Sequence, residues 1–183
     1  MNLSIIVPAH NEEDNIAQVI SKIEEAVKTP HELIVVNDHS QDSTPDIVRK
    51  LSAKYPNLRL VENTQDKGFA NAIKTGFSNI KTEIAIPVMG DLCDDLTTIE
   101  TMFDTINLGY DVVCGSRYTT KGKRLGGSQL KGFLSGTAGR SLYHILGIPT
   151  HDIANAFKNV PQESPGRDGD QFSRLRDLHG NTA

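Results

Sequence analysis

Through residues 3–114 one unit recurs: a short run of β-branched residues, a polar loop, then a stretch with apolar residues at helical spacing. Leu3-Ser4-Ile5-Ile6-Val7 has the composition of a buried strand. After Asn11, Glu12 and Glu13 occupy a first turn that suits acidic side chains, and Ile16, Val19, Ile20, Ile23 and Val27 then fall on one helix face. A second strand at 33–36 ends at Asn37-Asp38-His39-Ser40. Thr44-Pro45 then has the form of an N-cap followed by proline at the first helical position, with Ile47, Val48 and Leu51 facing inward. A strand at 58–61 follows, then a polar loop to Gly68, a helix at 69–78 and a strand at 84–88. After an acidic loop come a helix near 97–107 and a strand at 111–114.

Strands alternating with helices through short loops predict an α/β fold with a mostly parallel sheet flanked by helices. Ligands of such sheets lie beyond the carboxyl ends of the strands. The strand-end loops begin at Pro8, Asn37, Glu62 and Met89, so chemistry is sought there.

The remainder is less regular. Residues 118–128 are rich in Gly and basic side chains, through Lys121-Gly122-Lys123-Arg124, and lack periodicity. Leu130, Phe133, Leu134, Ala138, Leu142 and Ile145 then predict a long amphipathic helix. From 159 to 183 apolar residues are few, and prolines, glycines and charges are many. The expected division is therefore one domain over 1–158 and an irregular, disordered tail over 159–183.

Composition removes several function classes. The formal net charge is −4, which argues against a nucleic-acid binder working by phosphate neutralisation. No apolar run approaches the roughly 20 residues of a membrane span, and the first residues lack the form of a signal peptide. Cys93 and Cys114 make no CxxC pair. A cytoplasmic protein is expected. The basic loop at 121–124 suits the cytoplasmic face of an anionic membrane, or a lipid phosphate, or equally a solvated loop. No G-x-G-x-x-G follows the first strand, and Gly122-Lys123 is not a P-loop, because Arg117 holds the first glycine position and Arg124 that of the Ser/Thr.

Four loops carry candidate chemistry. Pro8-Ala9-His10-Asn11-Glu12 has the place of a clasp for a base and ribose, although Glu12 and Glu13 also suit a plain helix start. Asp38, at the end of a buried strand, would accept a hydrogen bond from a base N–H or a ribose hydroxyl, whereas Asp42 and Thr44 suit an Asx turn and a cap. In Met89-Gly90-Asp91-Leu92-Cys93-Asp94-Asp95, clustered carboxylates repel one another unless a cation neutralises them. Oxygen ligands on a short loop suit Mg²⁺ or Mn²⁺ bridged to a diphosphate, while Asp94 and Asp95 also suit a helix start. Arg117, directly after the last strand, suits bidentate phosphate recognition or a surface ion pair.

In this order the motifs resemble the family 2 glycosyltransferases of the GT-A fold, and among them the dolichol-phosphate mannosyltransferase-like branch. The residues that carry the likeness run from Ser4 to Glu13, then Val35-Val36-Asn37-Asp38-His39-Ser40 with Asp42 and Thr44. Asp66-Lys67-Gly68 with Ala72 and Gly76 follow, then Val88-Met89-Gly90-Asp91-Leu92 with Asp94. Gly115-Ser116-Arg117-Tyr118 and Asp152-Ile153-Ala154-Asn155-Ala156-Phe157-Lys158 complete the set, which spans residues 2–158.

The resemblance implies roles. Pro8, His10, Glu12, Asp38, Lys67 and Gly68 would face a GDP- or UDP-sugar donor. Asp91, with Asp94, would bind the metal on the diphosphate. Arg117, Lys123 and Lys131 would meet the phosphate of a polyprenyl acceptor, and Asp152 and Asn155 would wall the acceptor side. Asp91 and Arg117 are then the expected catalytic groups of an inverting hexosyl transfer. A lipid phosphate needs no general base, whereas a glycan hydroxyl would need one, with Asp152 as the candidate. The chain departs from the family pattern at Met89, where an Asp is usual, at Asn37, and after Lys158. A nucleotide-sugar-binding relative without turnover and a nucleotidyltransferase remain the alternatives.

Overall fold

A computed structural model of the chain describes residues 3–90, 95–110, 112–116, 158–161 and 175–179. In chain order the elements are β1 (Leu3–Ala9), α1 (Ile16–Ala26), β2 (His31–Asn37), α2 (Thr44–Leu51), β3 (Leu58–Glu62), α3 (Phe69–Ser78), β4 (Ile84–Pro87), α4 (Thr98–Ile106), β5 (Val112–Ser116), β6 (Lys158–Pro161) and β7 (Leu175–His179). The described strands form one sheet in the order β3-β2-β1-β4-β6-β5-β7.

β1 lies between two parallel neighbours, running from Leu3↔His31 to Ala9↔Asn37 against β2 and from Ser4↔Ala85 to Ile6↔Pro87 against β4. β3 extends the parallel set on β2. Pairing continues just beyond the strands, through Asp38 N–H to Ala9 O at 2.8 Å, Asn63 N–H to Asn37 O at 2.9 Å and Val88 N–H to Ile6 O at 2.8 Å. The loops that follow β1, β2, β3 and β4 therefore leave from one edge. β6 is antiparallel to both β4 and β5, so β5 points the same way as β4 and delivers Ser116 to that edge as well.

Period-2 alternation divides the core between the two faces. Leu3, Ile5 and Val7 pack with Leu33 and Val35 beneath the apolar stripes of α1, α2 and α4. Ile6, Ile34, Val36 and Ala85 turn the other way, against Ala72, Ile73 and Phe77 of α3. Coverage on both faces accounts for the near-continuous apolar runs, as in β2, where all seven residues are buried.

Two sequence expectations change. Thr44 is the first residue of α2 and not its cap; Ser43 holds that position without a side-chain cap bond. Residues 159–183, expected to be an irregular tail, contribute most of β6 and all of β7. Ladder hydrogen bonds are made by the backbone, which every residue type but proline supplies in full, so strands this short need little apolar periodicity. The rest of that stretch, like the expected helix from Leu130 and the basic loop at 121–124, lies outside the described residues.

At the opposite, amino edge of the sheet Glu32 is buried. Its Oε1 accepts from the Ser4 hydroxyl at 2.6 Å and the Lys81 amide at 2.6 Å, and Oε2 accepts from Arg59 Nη2 at 2.9 Å. Burial is the largest influence on Glu32 and pushes its pKa up, but Ser4, Lys81 and Arg59 together outweigh it and hold it below the usual carboxylate value. Glu100 is held low in the same way, with desolvation opposed by the Thr29 amide and hydroxyl and the Lys28 amide.

Two outcomes follow for stability. A folded pKa below the unfolded one stabilises above the unfolded value near 4.5 and is lost as pH falls through the folded value, so unfolding free energy should drop on acidification below that point. Ser4→Ala should cost about 1.5–3 kcal/mol at neutral pH and weaken the acid dependence, as read by urea denaturation across a pH series. Separately, a Cβ at Gly76 would collide with Cγ2 of buried Ile6. Gly76→Ala should therefore destabilise by about 1–3 kcal/mol in the same assay.

Candidate functional site: the carboxyl edge of the sheet

The loops after β1 and β2 are locked together by side chains that grip backbone amides. Asn11 and His39 each adopt a left-handed conformation, with φ of 53° and 58°. At these turns the amides of each loop meet side-chain oxygens of the other. Asn11 N–H donates to Ser40 Oγ at 3.1 Å, and Asn11 Oδ1 accepts from Gln41 N–H at 2.8 Å. Glu12 N–H donates to Thr44 Oγ1 at 2.8 Å, Glu13 N–H donates to Asp42 Oδ2 at 3.1 Å, and Glu13 Oε2 accepts from Ser43 N–H at 3.0 Å. Thr44 thus spends its hydroxyl on the neighbouring loop and not on its own helix. Asp42 closes an Asx turn by accepting from Thr44 N–H at 3.0 Å. Desolvation pushes the Asp42 carboxyl up, but the Thr44 hydroxyl and amide and the Glu13 amide prevail and lower it.

The expected donor-side residues fall in this region. Pro8, next to last in β1, lies on the α3 face of the sheet, partly exposed. His10 joins the two loops: Nδ1–H donates to the Asp38 carbonyl at 2.7 Å, and Nε2 accepts from Asn11 Nδ2 at 3.2 Å. Glu12 starts α1 through its carbonyl, which accepts from Ile16 N–H at 2.8 Å, and its Oε2 accepts from Asn15 Nδ2 at 3.1 Å.

Asp38 stands at the strand end but is buried at 5% exposure, and its carboxylate is largely occupied by the protein. Oδ1 accepts from Asn63 Nδ2 at 2.7 Å, while Gly68 N–H lies 2.9 Å from Oδ2 and 3.2 Å from Oδ1. Gly68 has φ 154° and ψ 143°, a region open only to glycine, and it carries the chain into α3 with Lys67 exposed before it and Phe69 47% exposed after it. Asn63 passed unremarked in the sequence; its one visible signal is an amide side chain directly after a strand.

Asp91, Asp94, Arg117, Lys123, Lys131, Asp152 and Asn155 lie outside the described residues, but the chain around several of them is placed. A Cβ on Gly90 would lie 3.5 Å from Pro8 O and 3.8 Å from Glu12 Cγ, so the residue before Asp91 rests against the first strand-end loop. β5 runs to Ser116, two residues beyond the expected end, and Ser116 lies at the same edge. Antiparallel pairing of β6, from Ile84↔Pro161 to Ala85↔Val160, sets Lys158 toward the carboxyl end of β4. Among the described residues no group of three His, Cys, Asp or Glu side chains could hold a metal ion, and none of the described helices is long and apolar enough to cross a membrane.

The Gly68 geometry has a measurable consequence. A Cβ there would meet no atom within 4 Å, so the cost of Gly68→Ala is conformational alone. It should destabilise by about 1–3 kcal/mol and speed amide exchange across residues 64–68.

The chain has relatives among known proteins. The chain is 32% identical over 124 residues to a dolichol-phosphate mannosyltransferase of Pyrococcus furiosus, a match covering 67% of this chain and 35% of the relative. It is 24% identical over 163 residues to a polyprenol monophosphomannose synthase of Mycolicibacterium smegmatis, covering 87% and 61%. The chain therefore spans less than two thirds of the length of these relatives. Among solved structures, mannosyltransferase PcManGT from Pyrobaculum calidifontis in complex with GDP-Man and Mn²⁺ superposes with a TM-score of 0.57 at 28% identity, covering 63% of this chain and 35% of that one. The architecture is the GT-A fold of such enzymes. The family model described as Glycosyl transferase family 2 matches residues 4–166, and the chain belongs to that family.

Proposed function

We propose that this chain transfers a hexose from a GDP- or UDP-sugar to a polyprenyl phosphate with inversion at the anomeric carbon. The observation that carries the reading is the convergence on one edge of the β1, β2 and β3 loops with Gly90, the residue before Asp91. In this reading Pro8, His10, Glu12, Asp38, Lys67 and Gly68 form the nucleoside side. Asp38 is the residue whose remaining acceptor capacity suits a base or ribose donor.

Asp91 and Asp94 are oxygen ligands of the kind a hard divalent cation takes, and Mg²⁺ or Mn²⁺ held there would neutralise charge on the leaving diphosphate. The GDP-Man and Mn²⁺ in the PcManGT complex support this assignment. Arg117, Lys123 and Lys131 would hold the acceptor phosphate in line with the anomeric carbon, beside a wall formed by Asp152 and Asn155. A phosphate oxygen then forms the bond to that carbon as the bond to the diphosphate breaks. The acceptor is already ionised at neutral pH, so no base takes a proton. The two relatives, named for dolichol phosphate and polyprenol, support a lipid phosphate acceptor. Met89, in place of the family's usual first aspartate, favours a second reading in which the chain holds a nucleotide-sugar without turnover.

Calorimetry with GDP-mannose and UDP-glucose should give cation-dependent binding. EDTA should abolish it, and Asp91→Asn should weaken it by about tenfold or more. Tight binding that persists without cation would remove the role given to the acidic loop. Incubation with radiolabelled nucleotide-sugars and polyprenyl phosphate should yield labelled lipid, and binding without product would select the second reading.

A further inference from the structure

Asn63, which the sequence did not single out, bonds to three separate parts of the fold. It is 4% exposed, and every hydrogen-bonding position of its side chain is filled. Nδ2 donates to Asp38 Oδ1 at 2.7 Å and to the Asp66 carbonyl at 3.3 Å. Oδ1 accepts from Gln65 N–H at 3.0 Å and from Thr75 Oγ1 at 3.0 Å. Its own amide donates to the Asn37 carbonyl at 2.9 Å. One side chain therefore ties the end of β2, the 63–68 loop and the middle of α3 to one another.

The consequence falls on Asp38. A carboxylate has about four acceptor positions. Asn63 and the longer Gly68 contact occupy Oδ1, and the shorter Gly68 contact takes one position on Oδ2. One position on Oδ2 is left with no donor among the described residues. Without the Asn63 amide the carboxylate would be free to rotate about its last bond, and the Gly68 amide would lose the acceptor that holds the loop.

We propose that Asn63 is a positioning residue of the donor site: it sets the rotation of the Asp38 carboxylate so that one Oδ2 position stays available to a nucleoside N–H or hydroxyl, and it pins the Lys67–Gly68 segment beside it. This rests on the reading of the edge as a nucleotide-sugar site, but its structural half is testable without ligand. Asn63→Asp keeps the acceptor for Gln65 and Thr75 and replaces only the donating NH₂, setting a second carboxylate against Asp38. Asn63→Ala removes both halves. Ser4→Ala, at the far edge of the sheet, serves as a destabilised control.

Amide exchange followed by NMR on the unliganded protein reads the clamp, and calorimetry with GDP and UDP in Mn²⁺ reads its effect on binding. Both Asn63 variants should speed Gly68 exchange and weaken nucleotide affinity by about tenfold or more, while Ser4→Ala loses stability and keeps wild-type affinity. Gly68 exchange unchanged in the Asn63 variants, or affinity lost equally in Ser4→Ala, would overturn the proposal. Should the Asn63 variants fail to fold, Thr75→Val, which removes one bond to Asn63 Oδ1, should give the same two shifts at smaller size, and no change in either would refute it. Wild-type protein that binds neither nucleotide yet shows a protected Gly68 amide would instead count against the donor-site reading, and with it the ligand half of this inference.

Discussion

Everything at the candidate edge depends on the ladder that holds β1 between β2 and β4. Because both pairings are parallel, each strand releases its following residue at the same end of the sheet. Parallel strands must be joined by crossovers, and the helices that make them cover both faces. The apolar packing of Ile5 and Val7 on one side and Ile6 on the other then fixes the register, since a one-residue slip would exchange the two faces. Pro8, Asp38 and Asn63 are neighbours for that reason, though far apart in the chain.

Polar groups are used differently at the two edges. At the amino edge Glu32 is closed off with Ser4, Lys81 and Arg59, and the network serves stability. A buried ion pair contributes little net energy by itself, but removing one partner strands the other, which is why such a cluster tolerates change poorly. At the carboxyl edge polar side chains instead hold the amides of neighbouring loops. Asn11, Glu13, Asp42 and Thr44 fix the course of the backbone. A site whose reacting groups come from several loops needs this rigidity, because small displacements of loop backbone carry directly into the placement of ligand.

Much of this was legible in the residues. The recurring strand–loop–helix unit placed β1 to β4 and α1 to α4 to within a few residues, because buried helices and strands must present apolar side chains at their own periods. The edge that holds the candidate site followed from the same pattern. What failed to show were contacts whose partners are distant in sequence. Thr44 looked like a cap because its neighbours suit one, yet its hydroxyl serves Glu12 across 32 residues. Asp38 looked like a ligand-facing carboxylate, and its burial by Asn63 and Gly68 depends on how the 63–68 loop folds back over the end of β2. β6 and β7 escaped because backbone pairing leaves little trace in composition.

By itself, then, the sequence determined the α/β class, the order of the elements through β5, the carboxyl edge as the place to seek chemistry and the family likeness, since these rest on local periodicity and on motifs written in order along the chain. Only the tertiary structure decided which polar side chains hold the protein together and which remain for a ligand. That division is set by burial and by hydrogen-bond partners 25 to 32 residues away in sequence, and no local pattern encodes them.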